Sequence, residues 1–417
     1  MSNKLKWPLV KLSTLAAKDK NAIVGGPFGS DLVSRDYVPE GVPVVRGGNL
    51  PKNSNFSCED LVFVSERKAD SLHLNCAKPG DIVFTQRGTL GQVGIIPKNT
   101  PYSRFLISQS QMKMTVDSSM ANAMYLYYYF RLPSTVSYIE NHALQSGVPH
   151  INLGILRKFD VVYPLLPIQQ KIAAVLSSYD DLIENNKRRI ALLEKMAEEI
   201  YRDWFVRLRF PGHGSVKVVK GVPEGWDEIR FSEIYDIAYG KNLPTDNLIQ
   251  DGKYEVYGAG DIIGSFNSYN CKEKVTLITC RGNGSGTVWH TRSAPSFVTN
   301  NSFMITQKNK SLRYHYYFVY LHMKFSPIEQ SIGGSAQPQI TIDSLSKVKI
   351  FRYPDALIQK FSDLIETLDD MRTQLIMTVS ILDKTRDRLL PRLISGKMLV
   401  ENLDIQFPPS MQDEASS

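Results

Sequence analysis

The sequence predicts an α+β protein in which two globular domains are separated by two long helices. Three observations lead to this fold. The globular segments alternate short apolar runs with Gly-rich turns, the intervening segments carry heptad repeats, and the second half of the chain repeats motifs of the first. The predicted segments are a first globular domain at 1–165, a helix at 166–206, a second globular domain at 207–353, a helix at 354–400 and an acidic tail at 401–417, which we expect to be disordered.

Charge distribution along the 417 residues indicates the kind of partner. The two globular segments each carry 18 Lys and Arg against 12 Asp and Glu, whereas the two helical segments are near neutral. Two equally basic domains suggest one shared polyanionic partner, and nucleic acid is the commonest.

Hydropathy and cysteine usage indicate a cytoplasmic protein. No run approaches the 18 apolar residues that a membrane span needs, and the N-terminus lacks the apolar core of a signal peptide. The four cysteines, Cys58, Cys76, Cys271 and Cys280, form no C-x-x-C pair, so we expect reduced thiols.

The segment 166–206 predicts a coiled-coil helix. With Ile172 and Leu176 as the first pair of core positions in a seven-residue repeat, nine of the ten core positions over five heptads are apolar or aromatic. The exception is Asn186, and a single core Asn typically fixes register in a coiled coil. An apolar stripe on the helix's own domain is the alternative interpretation. The positions that we assign to this half of the coiled-coil spacer are Ile172, Leu176, Ile183, Asn186, Ile190 and Leu193.

The segment 354–400 repeats this frame 189 residues later. Asp180-Asp181 aligns with Asp369-Asp370, and the core positions that align with Ile172 and its heptad repeats are again apolar. The first helix then has an available partner in the same chain, and we expect an antiparallel pair whose two halves are related by an approximate two-fold axis. The core positions that we assign to this half of the spacer are Phe361, Leu368, Leu375 and Leu382.

Two features of the second helix interrupt its pattern. Among the five core positions that align with Leu176 and its heptad repeats, two, Arg372 and Arg386, are arginine rather than apolar residues. Pro391 is expected to bend or end the helix, because proline has no N–H to donate and its ring clashes with the preceding turn.

The repeat extends into the globular segments. Residues 147–164 match 336–354, 85–94 match 279–288, and 105–114 match 297–306, in the same order in both halves. Each half also contains a tyrosine-rich helix candidate, at 124–130 and 314–323. The chain is therefore a tandem duplication, and each copy should form a mostly antiparallel sheet with a few helices.

Arginines in Gly-rich turns are the strongest candidates for DNA contacts. Arginine can grip a phosphate or the N7/O6 edge of guanine, and nearby Asn and Gln can pair with adenine. For any single residue, a solvated turn arginine or a capping amide is the alternative. The candidate DNA-binding residues are Arg46, Arg87, Arg104, Gln109, Gln111, Lys241, Arg281, Asn283, Arg292, Asn301, Gln337 and Gln339.

Catalytic and metal-binding motifs are missing from the sequence. There is no phosphate-binding G-x-x-x-x-G-K-[ST] loop, the GAGDIIG stretch at 258–264 has the wrong spacing for a dinucleotide, and no H-E-x-x-H occurs. The only Pro-Pro pair lies at 408–409 in the tail. We therefore expect no catalytic residue and no metal site. A coiled-coil adaptor without DNA sequence preference and a single-chain DNA methyltransferase remain the alternatives.

Several motifs resemble the specificity subunit of type I restriction-modification systems. The resemblance runs from about Trp7 to Leu399, and in the second helix Ile358 stands where Gln169 stands in the first. The motifs that carry it are GGPFGSDL (25–32), VPVVRGGNL (42–50), KPGDIVFTQRGTLGQVG (78–94), the whole segment 166–206, YEVYGAGDIIGSF (254–266) and RLLPRLISGKML (388–399).

This resemblance implies a non-catalytic subunit that reads a split DNA target. Each globular half would be a target recognition domain, and the helices would set the gap between the two parts. The helices would also dock two modification subunits, which methylate adenine with S-adenosylmethionine. Restriction and translocase subunits that use ATP and Mg would join through them, so this chain itself would hold no cofactor.

Overall fold

The computed structural model describes residues 7–52, 54–143, 150–309, 312, 314–334 and 337–414. They form two compact units, which comprise residues 1–187 with 377–417, and residues 188–376. The start of the matched repeat, including Pro149, lies outside the described residues.

The first unit contains three sheets. One pairs β1 with β11, the second has the order β2-β10-β7-β8, and the third has the order β3-β5-β4-β9-β6. The strands are β1 (Leu9–Lys11), β2 (Ile23–Gly25), β3 (Tyr37–Val38), β4 (Val42–Val45), β5 (Val62–Val64), β6 (Cys76–Ala77), β7 (Ile82–Thr85), β8 (Val93–Ile95), β9 (Phe105–Ile107), β10 (Gln111–Met114) and β11 (Asp160–Val162). The helices that begin in this unit are α1 (Glu66–Ser71), α2 (Ala123–Phe130), α3 (Pro133–Asn141), α4 (Leu153–Arg157) and α5 (Leu166–Tyr201).

The second unit repeats this plan. Its sheets have the orders β12-β13, β14-β22, β15-β21-β18-β19 and β17-β16-β20. The strands are β12 (Val218–Val219), β13 (Val222–Pro223), β14 (Asp227–Arg230), β15 (Tyr235–Tyr239), β16 (Tyr254–Tyr257), β17 (Ile262–Phe266), β18 (Thr276–Thr279), β19 (Val288–His290), β20 (Phe297–Val298), β21 (Ser302–Gln307) and β22 (Lys349–Arg352). The helices are α6 (Phe231–Ile234), α7 (Tyr316–Lys324), α8 (Ile342–Ser346) and α9 (Asp355–Ile394), and a π-helical turn, Arg202–Val206, follows α5.

Sheet topology confirms the duplication. The order β2-β10-β7-β8 in the first unit is reproduced by β15-β21-β18-β19 in the second. In both units one pair is parallel, β4 with β9 and β16 with β20, while the other named pairs are antiparallel. The predicted α+β fold with mostly antiparallel sheets is therefore confirmed.

The tyrosine-rich helix candidates form α2 and α7. In α2 every residue from Met124 to Phe130 is buried. Buried hydroxyls need partners, and those of Tyr125 and Tyr129 donate to the carbonyls of Val162 (2.8 Å) and Asp160 (3.0 Å) on β11. These bonds fix α2 against β11, the strand that precedes α5 in the chain.

Within the first unit, the start of α5 packs antiparallel to the end of α9. Ile172 and Leu176 share a core with Leu393. Further along α5, Asp180 accepts a 2.6 Å hydrogen bond from Arg386, which precedes Leu393 in α9. The two helix segments therefore run in opposite directions.

The second unit shows the same antiparallel arrangement between the end of α5 and the start of α9. Glu194 accepts a hydrogen bond from Arg372 (3.1 Å), and the later Tyr201 stacks edge-on to the earlier Phe361 at 5.7 Å. The predicted antiparallel pairing is confirmed inside each unit, while the approximate two-fold axis stays a prediction.

Burial follows the heptad frame along both helices. Asn186 is only 8% exposed, as expected for a polar core position. Of the other assigned spacer positions, some are buried and some half-buried. The buried ones are Ile172, Leu176, Ile183, Leu193 and Phe361, and the half-buried ones are Ile190, Leu368, Leu375 and Leu382.

Pro391 does not end α9, which continues to Ile394. The expected end of the helix at Pro391 is therefore wrong, and the expected bend stays a prediction. Leu393 and Ile394, which follow the proline, are buried in the core of the first unit. Their burial outweighs the single backbone hydrogen bond that a proline removes in the last turn.

The tail is not disordered over 401–412. The Lys171 ammonium donates to the carbonyls of Glu401 and Leu403, both at 2.8 Å, and Met411 is 1% exposed in the core of the first unit. Acidic composition suggested disorder. The prediction is wrong because scattered apolar residues, including Ile405, pack on that core despite the neighbouring charges.

Candidate nucleic-acid interface

Four loops converge at one end of the sheets in the first unit. We call them the first loop cluster and define it as residues 26–32, 46–50, 86–92 and 108–111. Backbone hydrogen bonds tie the loops together, and they come from strands that are distant in sequence but adjacent in the sheets. The bonds run from Ser108 N–H to Val45 (3.0 Å), from Gly26 N–H to Gln111 (2.8 Å) and from Gln86 and Arg87 N–H to Ser110 (2.6 and 3.3 Å).

Arg46 and Arg87 are the exposed cations of the first loop cluster. Arg46 is oriented by a bond from its guanidinium to the carbonyl of Asp60 at 2.6 Å. Arg87 lies in a turn whose next residue, Gly88, has a φ of 92°, and its guanidinium has no ion pair with the described residues. A guanidinium has five N–H donors, so both side chains retain donors for a phosphate or a base edge.

The two glutamines of this cluster have different roles. Gln109 is exposed, and its amide donates to the carbonyls of Gly29 and Leu32, the latter at 3.0 Å. Gln111 is 1% exposed, and its side-chain oxygen accepts from the Ser108 hydroxyl. Burial leaves no open edge of the Gln111 amide in this conformation, and its assignment as a base contact stays a prediction.

Arg104 lies outside the first loop cluster. It precedes β9, whereas the cluster loop 108–111 follows that strand, so the two lie at opposite ends. Its guanidinium pairs with Asp70 (2.7 Å) and with Glu66, and these hydrogen bonds raise the pKa of Arg104. The structure thus does not bring Arg104 together with Arg46 and Arg87.

The second unit builds an equivalent arrangement, the second loop cluster, from residues 240–242, 280–286, 299–301 and 337–339. Its loops are joined by a similar set of bonds. Lys241 N–H donates to Val298 (2.9 Å), Asn300 N–H to Lys241 (3.1 Å), Cys280 N–H to Asn301 (2.9 Å), and Gly282 N–H and the Ser285 hydroxyl to Pro338 (3.1 and 2.7 Å).

Most predicted residues of the second half lie in this cluster. Asn301 is half-buried, and Arg281 pairs by a backbone bridge with Gln339. Arg292 is exposed but follows β19 at the end opposite the 280–287 turn, and its N–H donates to the Tyr257 hydroxyl at 2.7 Å. The predicted residues that are exposed in this cluster are Lys241, Arg281, Asn283, Gln337 and Gln339.

Sequence reasoning missed Phe28, which is 87% exposed within the first loop cluster. The available signal was its setting, Gly-Gly-Pro-Phe-Gly, since a phenylalanine flanked by turn residues has no strand or helix face to bury it.

Sequence reasoning also gave no face for partner binding on the long helices. Exposed apolar side chains lie along α5 and α9 within each unit. In the first unit they are Leu182, Met377 and Ile381, and in the second they are Leu192, Met196, Leu364 and Met371.

In the second unit His322 is buried and His290 is half-buried. Burial lowers the pKa of His290 to about 4 and that of His322 to about 3, so both rings are neutral near pH 7. His322 is held by the Tyr235 hydroxyl at 2.8 Å. Across the described ranges, no three His, Cys, Asp or Glu residues are grouped to hold a metal ion, and no helix is long and apolar enough to cross a membrane. The loop clusters offer hydrogen-bond donors and positive charge.

Comparisons with known proteins follow the duplicated organisation. The family model for the type I restriction modification DNA specificity domain matches residues 34–195 and again 223–378. The specificity subunit of the type I restriction enzyme MjaIX from Methanocaldococcus jannaschii is 26% identical over 426 residues, covering 95% of this chain and 94% of that protein. A putative type I specificity subunit of Mycoplasma genitalium, S.MgeORF438P, is 23% identical over 310 residues, covering 73% and 78%.

A solved structure shares the fold. The crystal structure of a type I restriction-modification S subunit from M. genitalium matches with a TM-score of 0.57 and 20% identity, over 94% of this chain and 97% of that one. The two regions matched by the family model account for well over half of the sequence. The first contains three of the four loops of the first loop cluster, all but 26–32, and the second contains the whole second loop cluster. This chain therefore belongs to the family of type I restriction-modification DNA specificity proteins.

Proposed function

We infer that this chain is the DNA-recognition subunit of a type I restriction-modification system, in which each unit reads one part of a split target. One observation carries this inference: in both units, cations and amides from separate loops converge at the equivalent end of the same sheet. In the first unit these are Arg46, Arg87 and Gln109. In the second they include Lys241 and Arg281.

Recognition follows from the chemistry of these side chains. Lysine and arginine neutralise phosphates and fix the register of the duplex, while bidentate arginine contacts discriminate guanine and amide contacts discriminate adenine. Because each phosphate contact releases counterions, affinity falls steeply with salt. The chain itself binds and positions DNA and contributes no catalytic group.

The long helices supply the partner surface in this proposal. The exposed apolar side chains of α5 and α9, such as Leu192 and Met371, favour docking of adenine methyltransferase subunits, two per chain. Those subunits would carry S-adenosylmethionine and recruit the restriction and translocase subunits, which use ATP and Mg. The four free cysteines fit a cytoplasmic complex of this kind.

The test is target selection from random-sequence duplexes with the chain bound to its modification subunits, followed by mapping of methylated adenines. We expect a two-part motif with a fixed gap. Arg87→Gln should relax only one part and Arg281→Gln only the other, each with a loss of about 1–3 kcal/mol in discrimination.

Three outcomes would reject the proposal. Recovery of one continuous motif would contradict two reading units. The absence of any motif would favour a coiled-coil adaptor without sequence preference. Methylation by the purified chain alone would identify a single-chain methyltransferase.

A further inference from the structure

Phe28 has the most exposed side chain among the large hydrophobic residues that the structure describes, at 87%. The residues around it are not exposed in the same way. Pro27 precedes it and is buried, and Leu32 four positions later is 6% exposed. The chain therefore enters and leaves the core on either side of Phe28, and the ring stands at the tip of a short, anchored loop.

The conformation of this loop is fixed by contacts on both of its arms. A β-carbon at Gly26 would lie 1.9 Å from the carbonyl oxygen of Ser108, so the backbone is packed directly against the 108–111 loop. Gly29 has a φ of 52°, and the Gln109 amide donates to the carbonyls of Gly29 and Leu32. A loop held in this way presents the ring to solvent persistently, which forgoes the hydrophobic gain of burying it.

The residues around Phe28 indicate which kind of ligand its ring contacts. Gln109, which braces the loop, is followed by Ser110, whose carbonyl accepts the N–H groups of Gln86 and Arg87. The exposed guanidiniums of Arg46 and Arg87 belong to the same loop cluster. An apolar ring among exposed cations and amides matches DNA, which offers phosphates beside flat base faces, better than it matches an apolar protein surface.

The second unit lacks this ring at the equivalent place. Gly240 corresponds to Gly26, since a β-carbon there would lie 2.2 Å from the carbonyl of Thr299, the counterpart of Ser108. Two residues on, the exposed Asn242 stands where the first unit has Phe28. Asn242 therefore serves as the matched control for the aromatic side chain, since it occupies the equivalent place in the other unit.

We propose that Phe28 is a wedge that stacks against a base in the part of the target read by the first unit and opens one base step there. This rests on the proposed function, because it requires that unit to contact DNA. The ring supplies sequence-tolerant stacking and favours a base step that unstacks easily, such as a pyrimidine–purine step.

The test uses the chain in complex with its modification subunits and the duplex recovered by target selection. 2-Aminopurine is placed in turn at each position of the first part. The wild-type complex should raise fluorescence at one step, which reports unstacking. Phe28→Ala should abolish this rise and lower affinity about 10–100-fold, whereas Phe28→Trp should retain both. Asn242→Ala should leave this fluorescence signal intact, because Asn242 lies in the unit that reads the other part of the target.

The outcomes separate the wedge from the proposed function. If Phe28→Ala recovers the same two-part motif with unchanged affinity and fluorescence, the wedge is wrong and the DNA-recognition function stands. Loss of modification-subunit binding by Phe28→Ala at unchanged DNA affinity would assign the ring to a protein contact and also overturn the wedge. If the wild-type complex yields no motif, both fail. Circular dichroism and limited proteolysis of Phe28→Ala establish that the variant is folded.

Discussion

The two units preserve one buried carboxylate on their helices but surround it differently. Asp180 of the first unit and Asp369 of the second occupy equivalent places in the repeat, and each accepts a tyrosine hydroxyl, from Tyr128 (2.6 Å) and Tyr316 (2.8 Å). The hydroxyls come from α2 and α7, the equivalent tyrosine-rich helices. The carboxylate therefore joins the sheet portion of each unit to its long helices, and this junction survived the duplication.

The cations around these carboxylates differ in number. In the first unit a single arginine, Arg386, contacts Asp180 (2.6 Å), Asp383 (3.1 Å) and Asp387 (2.9 Å). This arginine is buried, and burial opposes its charge, but the attraction of Asp180 outweighs burial and raises the pKa of Arg386. One cation thus serves three carboxylates.

In the second unit the central carboxylate contacts two cations. Asp369 contacts both Arg372 (2.6 Å) and Lys274 (3.3 Å). Burial raises the pKa of Asp369, but Arg372 outweighs burial and the net pKa is lowered. The comparison teaches that the same junction can depend on one arginine in one unit and be shared between two cations in the other.

The largest expected effect is that of Arg386→Ala. It leaves Asp180 buried without a cation, and breaking such a pair costs about 3–5 kcal/mol in free energy of unfolding. Arg372→Ala should cost less, because Lys274 continues to neutralise Asp369. Urea unfolding with hydrogen exchange read separately over 166–187 and 188–201 measures the two losses.

A paired replacement provides the control. Asp180→Leu with Arg386→Met removes both charges and should be far less destabilising than Arg386→Ala alone, since no unpaired buried charge remains. Equal losses for Arg386→Ala and Arg372→Ala would contradict the difference between the two junctions.

The next effect concerns acid sensitivity and should be confined to the second unit. His290 is half-buried there and His322 is buried, and their pKa values are lowered to about 4 and about 3, from the ordinary value of 6.5. His73 and His142 of the first unit are exposed. A lowered histidine pKa means that the unfolded chain binds more protons below pH 6.5. The stability of the second unit therefore falls as pH drops from about 6.5 toward 4.

The size of this loss of stability follows from the pKa values of His290 and His322. Between pH 7.5 and 5, each such histidine should cost about 2 kcal/mol in free energy of unfolding. Hydrogen exchange of β18 and β21 against β7 and β10 at the two pH values measures the difference between the units. His322→Gln should reduce the pH dependence of the second unit by about half, and an undiminished slope would exclude His322 as its source.

The parts of this architecture that sequence predicts well are those encoded locally. The heptads place Ile172 and Asn186 on one face of α5 and Phe361 on the corresponding face of α9, because helical geometry alone fixes those faces. The duplication is also evident from the sequence, because Asp180 and Asp369 occupy the same position in the heptad repeats of the two helical segments. No tertiary contact is needed for either inference.

The composition of the sites depends on contacts that local patterns do not encode. Gln109 and Gln111 look interchangeable in the sequence, yet one braces an exposed loop and the other is buried beneath it, because β10 begins between them. Arg104 seemed equivalent to Arg87 until the direction of β9 placed it at the far end of the strand. The convergence of the loops follows from the order of strands in the sheets, which only long-range pairing determines.

The smallest expected effect is that of Arg104→Gln on DNA affinity, and it tests whether only one end of each unit faces DNA. The Arg104 guanidinium is already paired with Glu66 and Asp70, so its replacement should change affinity less than about twofold and leave the salt dependence unaltered. Arg87→Gln should weaken binding at least severalfold, because an arginine that contacts DNA contributes about 1–3 kcal/mol. Titrations of the selected duplex at several salt concentrations compare the two variants directly. If Arg104→Gln weakened binding as much as Arg87→Gln, the DNA path would have to include the opposite end of β9, and the loop cluster would no longer define the interface of the first unit.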